Sequence, residues 1–87
     1  METKIGTVSR YFPNIGVAAF DLTDGSLSVG DSIHITGPST DLAQVVEEMQ
    51  VNGDNVEKVE MGGQVGVKMD DKVSVDDDVY IVTMKGE

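Results

Sequence analysis

The chain has no cysteine, which excludes disulfides and thiolate metal ligands and leaves nothing that points to an oxidising compartment. It has no tryptophan and only two Phe and two Tyr, so large rings contribute little to its core. Basic side chains are scarce: six Lys and Arg stand against sixteen Asp and Glu, for a net charge of −10. Contact with nucleic-acid phosphates needs Lys and Arg to displace counterions, and this field has the wrong sign. The acidic balance fits a solubilising surface, or one that steers toward a basic partner. No apolar run approaches the roughly 20 residues of a membrane-spanning helix. Met1-Glu2-Thr3-Lys4-Ile5 shows no basic segment leading into an apolar one, so the expectation is a cytoplasmic protein without a signal peptide.

What the chain does have is valine. Fourteen Val and five Ile fit a pleated sheet better than a helix, and ten Gly suit short strands joined by tight turns. The 87 residues make a single domain, since two would leave neither half enough core. Residues 4–10 alternate as a first strand, which Tyr11-Phe12-Pro13-Asn14 breaks because Pro13 lacks an amide hydrogen and restricts Phe12. Residues 15–20 resume as a second strand, with Gly16 at a bend or bulge. Asp24-Gly25 turns the chain into a short segment at 26–29, and Gly30-Asp31 reverses it into a strand at 32–36 before the loop Gly37-Pro38-Ser39.

Asn52-Gly53-Asp54 is a hairpin-type turn, Val56 and Val59 fall in a connecting segment, and Gly63 leads a strand carrying Val65, Val67 and Met69 on one face. Asp70-Asp71-Lys72 turns the chain, and Val73 and Val75 read as a short edge. The last strand spans 79–84, with Val79, Ile81 and Thr83 facing one way and Tyr80, Val82 and Met84 the other. Strands recurring about every 8–12 residues belong to a barrel or a sandwich.

Residues 41–51 stay open on periodicity alone. Leu42, Val45, Val46 and Met49 have helical spacing, and Thr40 or Asp41 is a possible cap. Ala43, Val45, Met49 and Val51 instead share one face of a strand, interrupted by Glu47.

Asp24-Gly25-Ser26-Leu27-Ser28-Val29-Gly30-Asp31-Ser32-Ile33-His34-Ile35 is similar to the turn, short apolar segment, Val-Gly-Asp and strand of the domain after the G domain in elongation factor Tu and initiation factor 2. Gln44 to Gln50 looks like that family's next strand, Gly63-Gln64-Val65-Gly66-Val67-Lys68 like its glycine-led strand, and Asp77-Asp78-Val79-Tyr80 like the strand that closes the barrel. The match runs from about Lys4 to Thr83. The resemblance implies an all-β fold, a single six- or seven-stranded antiparallel β-barrel over residues 1–87, with 41–51 as strand. It also implies a non-enzymatic module without a cofactor, docking onto a larger translation-related or RNA-modifying protein. Direct binding of tRNA or rRNA is the rival that the same resemblance allows. The chain also resembles the β-barrel tail of collagenase-like peptidase-family proteins, some of which act in RNA hydroxylation. No Gly-x-x-x-x-Gly-Lys-Ser/Thr phosphate loop is present, so GTP is not bound in the translation-factor manner.

Few residues are candidates for function. Arg10, Tyr11 and Phe12 gather one cation and two aromatics beside a loop, the residue types favoured as interface anchors; alternatively, Tyr11 or Phe12 plugs the barrel end. Gly25, Gly30, Asp31 and Gly63 read as turn residues, Asp31 as an acceptor for nearby amides. His34, the only histidine, should point outward between Ile33 and Ile35 and has no nucleophile or metal partner in the sequence. Asp70-Asp71 and Asp76-Asp77-Asp78 match no known cation cage and read as solvated turns, so no metal is expected. Lys68, Lys72 and Lys85 form a small basic spot diluted by acidic neighbours.

Overall fold

The structure is a computed structural model and describes residues 2–83. Among these residues there are ten strands and no helix: β1 (Glu2–Phe12), β2 (Val17–Asp21), β3 (Leu27–Ser28), β4 (Ser32–Gly37), β5 (Thr40–Val45), β6 (Met49–Val51), β7 (Asp54–Val56), β8 (Lys58–Val59), β9 (Gln64–Lys68) and β10 (Asp78–Val82). Eight form one antiparallel sheet in the order β5-β4-β10-β1-β2-β9-β6-β7, and β3 pairs with β8 in a separate ribbon. Val8, Phe20, Ile33, Ile35, Val67 and Val79 lose all exposure in one core, to which the ribbon adds Leu27 and Val59. Full burial of each such side chain is worth about 1.5–3 kcal/mol.

The all-β expectation holds, but the closed barrel of six or seven strands does not. The sheet has two edges, β5 and β7. β5 and β6 are nearly consecutive in the chain, yet β5 pairs only with β4 whereas β6 pairs with β9 and β7. Residues 46–48 cross between them outside any strand, so the ladder is interrupted where a barrel would close. The strand count exceeds the expectation because the segments at Lys58–Val59 and Asp54–Val56, read as a connection, are themselves paired.

Gln44 stitches this gap. Its buried side chain donates from Nε2 to the Lys68 carbonyl at 2.9 Å, and its Oε1 accepts from the Asp70 amide at 2.8 Å. One side chain thus replaces two missing backbone partners. Removing it in Gln44→Ala leaves both backbone groups short of a partner, which costs about 1–3 kcal/mol. Urea titration should show a lower midpoint with an unchanged slope, and an unchanged midpoint would count against the stitch.

The interruption also explains why residues 41–51 read ambiguously. Gln44 and Val46 are buried and Leu42 half-buried, while Ala43 and Val45, expected on the inner face, are exposed. Past the crossing the phase slips by one, and Met49 turns inward. Leu42, Val46 and Met49 therefore imitate helical spacing although the backbone is extended on both sides of the break.

Two further expectations change. β1 runs on through Tyr11 and Phe12, paired with Ala18 and Val17. The residue before a proline is pushed toward extended backbone, so Pro13 shapes the strand's end instead of breaking it early. Val73 and Val75 form no edge strand: Val73 is buried against the core and Val75 is 55% exposed. Their segment is held by Asp77, whose carboxylate accepts from the Ser74 amide at 2.8 Å and whose carbonyl accepts from Val8 at 2.9 Å.

Candidate functional site

The β1–β2 hairpin carries the first candidate. Tyr11 is half-buried and packs against the core, while Arg10 and Phe12, two residues apart on the opposite face, are exposed. The Phe12 carbonyl accepts from the amides of Ile15 at 3.2 Å and Gly16 at 2.9 Å, and Gly16 takes a φ of 66°. The tip therefore projects Phe12, 40% exposed, and Ile15, 62% exposed. Tyr11 is a root for this tip, and Arg10 and Phe12 are its contact groups. Ile15 escaped the sequence reading because its alternation with Val17 placed it in the strand, whereas β2 starts only at Val17.

The turn residues lie away from this tip. Asp31 Oδ2 accepts from the Ser28 amide at 2.8 Å, and Gly30 between them has a φ of 97°, a conformation that favours glycine. Gly25 does not use that freedom; a side chain there would run into Ile5. The Gly63 carbonyl accepts from Leu22 at 2.9 Å and ties the β8–β9 loop to the end of β2.

His34 does lie on the outer side of β4, but it is not isolated. Its Nδ1 is 2.9 Å from Glu2 Oε2 and its Nε2 is 2.5 Å from Asp41 Oδ1. Carboxylates on both ring nitrogens favour the imidazolium, and the hydrogen bonds to Asp41 and then Glu2 raise its pKa above 6.5. A raised folded-state pKa gives stability that is fully present below about 6.5, the unfolded value, and is lost as pH rises through the folded value. Melting curves of the native chain and His34→Gln should thus differ most below about pH 6.5 and converge once pH has risen past the raised folded-state value, with a gap of about 1 kcal/mol or less for exposed pairs. A gap independent of pH would exclude the ion pairs as its source. Sequence reasoning missed this cluster because Glu2 is 32 residues from His34 and only the β1–β10–β4 order brings them together.

The remaining carboxylates are dispersed. Asp70 and Asp71 are exposed after β9, Asp77 is buried in its turn, and Asp78 binds Lys4 Nζ at 3.0 Å, raising the lysine's pKa. Among the described residues, no group of three or more His, Asp or Glu could hold a metal. Lys68 and Lys72 are exposed, and Lys85 lies outside the described residues, as does Met84 of the expected last strand. Among the described residues, no helix is long and apolar enough to cross a membrane.

Comparison with known proteins sets these surfaces in context. No family model matches the chain. It is 38% identical over 80 residues to a collagenase of Porphyromonas gingivalis, a match covering 91% of this chain and 22% of that protein. It is 36% identical over 82 residues to an uncharacterized protease of Methanocaldococcus jannaschii, covering 93% and 20%. The chain thus spans about a fifth of the length of these relatives. Among solved structures, the C-terminal domain of a Geobacillus thermoleovorans protein described as a U32 peptidase superposes with a TM-score of 0.83 at 20% identity, covering 91% of each chain. The likeness to collagenase-type proteins is therefore the one supported. The translation-related or RNA-modifying docking role is overturned, and with it the elongation-factor kinship. Glycine- and aspartate-led turns into short strands recur wherever small sheets reverse, so their order carried fold but not function. The expectation of a non-enzymatic module meets a finding that points the other way: the relatives are named collagenase or protease, although the match covers only about a fifth of each.

Proposed function

We propose that the chain serves as an accessory β-domain of a collagenase-type, U32-related peptidase, providing contact surface for chemistry carried out by the rest of such a protein. What carries this reading is a similarity that fills nine-tenths of this chain and only about a fifth of the collagenase. The fold likeness to a C-terminal domain supports the same arrangement at the level of architecture. The β1–β2 tip suits contact with an extended polypeptide: Phe12 and Ile15 offer apolar surface and Arg10 a multidentate donor, while Tyr11 fixes the hairpin to the core. A net charge of −10 lends no support to direct RNA contact in its place.

The test replaces the matched 80-residue segment of the P. gingivalis collagenase with this chain and follows cleavage of a collagen-derived peptide. The chimera should cleave, and a variant lacking the segment should be impaired. Arg10→Ala with Phe12→Ala in the chimera should raise KM by about tenfold with kcat little changed, the scale of one lost interface anchor. A chimera no better than the deletion variant defeats the reading.

A further inference from the structure

A second surface lies at the other end of β1. Strand register aligns Val45, Ser32, Val82 and Glu2 in one row across β5, β4, β10 and β1, and Ala43, His34, Tyr80 and Lys4 in the next. Ile33 and Ile35 point into the core, so these rows face outward. Ala43 is exposed, Val45 is 48% exposed, and Val82 and Tyr80 are half-buried. Between them is a shallow depression of about 270 Å³ lined by Ser32, Ile33, Ala43, Gln44, Val45 and Val82. The rim is acidic: Glu2 and Asp41 share the single charge of His34 between them yet keep 42% and 85% of their side-chain surface exposed, and Lys4 is engaged by Asp78.

We infer that this face is the seat of the peptidase body to which such a domain is joined, held by apolar contact at Val45 and Val82 and by Lys or Arg of that body against Glu2 and Asp41. The inference rests on the accessory-domain reading above. In a protein where the domain follows a larger body, the joining segment enters at the first residues of β1, and Glu2 pairs with Val82 in the wall of the depression. The body therefore starts beside this face. The acidic rim, within an acidic domain, selects a basic counterpart and opposes a second copy of the chain. β1 has eleven residues, which places the Phe12 tip roughly 35 Å away, so docking here leaves the tip free to reach substrate.

The absence of native cysteine makes a direct measurement possible. Val45→Cys and, as a control at the far tip, Ile15→Cys are introduced separately into the free chain and into the collagenase chimera. Maleimide labelling of each is followed by peptide mass spectrometry. Docking predicts that Val45→Cys labels more than about tenfold slower in the chimera than in the free chain, as for a side chain in a well-packed interface core, while Ile15→Cys labels equally in both. Adding Glu2→Lys with Asp41→Lys to the chimera should restore labelling of Val45→Cys. Equal labelling of Val45→Cys in the two settings overturns the inference even if the chimera is fully active. Protection in a chimera that cannot cleave upholds the docking and defeats only the functional reading. Protection of the free chain that grows with its concentration assigns the face to a second copy and overturns the inference.

Discussion

Phe20→Ala is expected to bring the domain to the edge of unfolding. Of the four aromatic residues, Phe20 alone has no exposed surface. It sits on β2 opposite Val8 of β1 and Val65 of β9, at the middle of the sheet, where no loop can collapse into the space it leaves. Removing a buried Phe costs about 3–5 kcal/mol through lost transfer energy plus the residual cavity. A domain of this size is stable by only about 4–13 kcal/mol, so the loss takes a large share. Phe20→Leu, which keeps most of the volume, should cost about 1.5 kcal/mol or less. Urea denaturation of the three proteins separates the cases. A Phe20→Ala midpoint close to the native one would mean that the core is not closed around this ring.

The contrast between what could be read from the residues and what could not has a physical basis. Strands set by local alternation were legible: Ile33 and Ile35 point inward as expected, and Val65 and Val67 do the same. The Asn52-Gly53 turn was legible because both residues adopt positive φ, 54° and 84°, as a two-residue hairpin between Val51 and Asp54 demands. Pairing between distant segments was not legible. β10 inserts between β4 and β1, an arrangement fixed by the packing of the whole core and by no local signal. The open seam was hidden for the same reason, since a single Gln44 side chain completes it and glutamine on a strand ordinarily reads as surface.

The surfaces follow this division. Arg10 and Phe12 are exposed at a hairpin tip whose existence the turn residues announced, although the strand's true end moved Ile15 into the tip as well. The outer rows of Val45, Val82 and Tyr80 depend on strand order, so nothing in the chain's linear sequence joins them. Glu2, His34 and Asp41 meet for that reason too. Kinship was legible in part. Turn motifs shared by many small sheets pointed toward translation factors, whereas the likeness to collagenase-like peptidase-family proteins is the one that similarity along nearly the whole chain supports.

Gly6→Ala should be as damaging as the loss of Phe20, for the opposite reason. Gly6 follows the irregularity in β1 where register against β10 shifts between Lys4 and Gly6. A methyl group there would overlap the carbonyl of Asp21 and press on the Cα of Leu22, both backbone atoms at the end of β2. No rotamer change relieves a clash with backbone, so β1 and β2 must separate where Thr7 pairs with Asp21. Overpacking typically costs about 1–3 kcal/mol when side chains can yield, and more is expected here because they cannot. The strain should also have an address. The Leu22 amide bonds to Gly63 and the Leu22 carbonyl accepts from Gly62, so the amides of Leu22 and Gly62 should lose hydrogen-exchange protection before those of β4 and β10. Uniform loss of protection across the sheet would show that the strain spreads from this corner, and a stable Gly6→Ala protein with native exchange would show that the close approach of β1 to β2 is not a constraint on the fold.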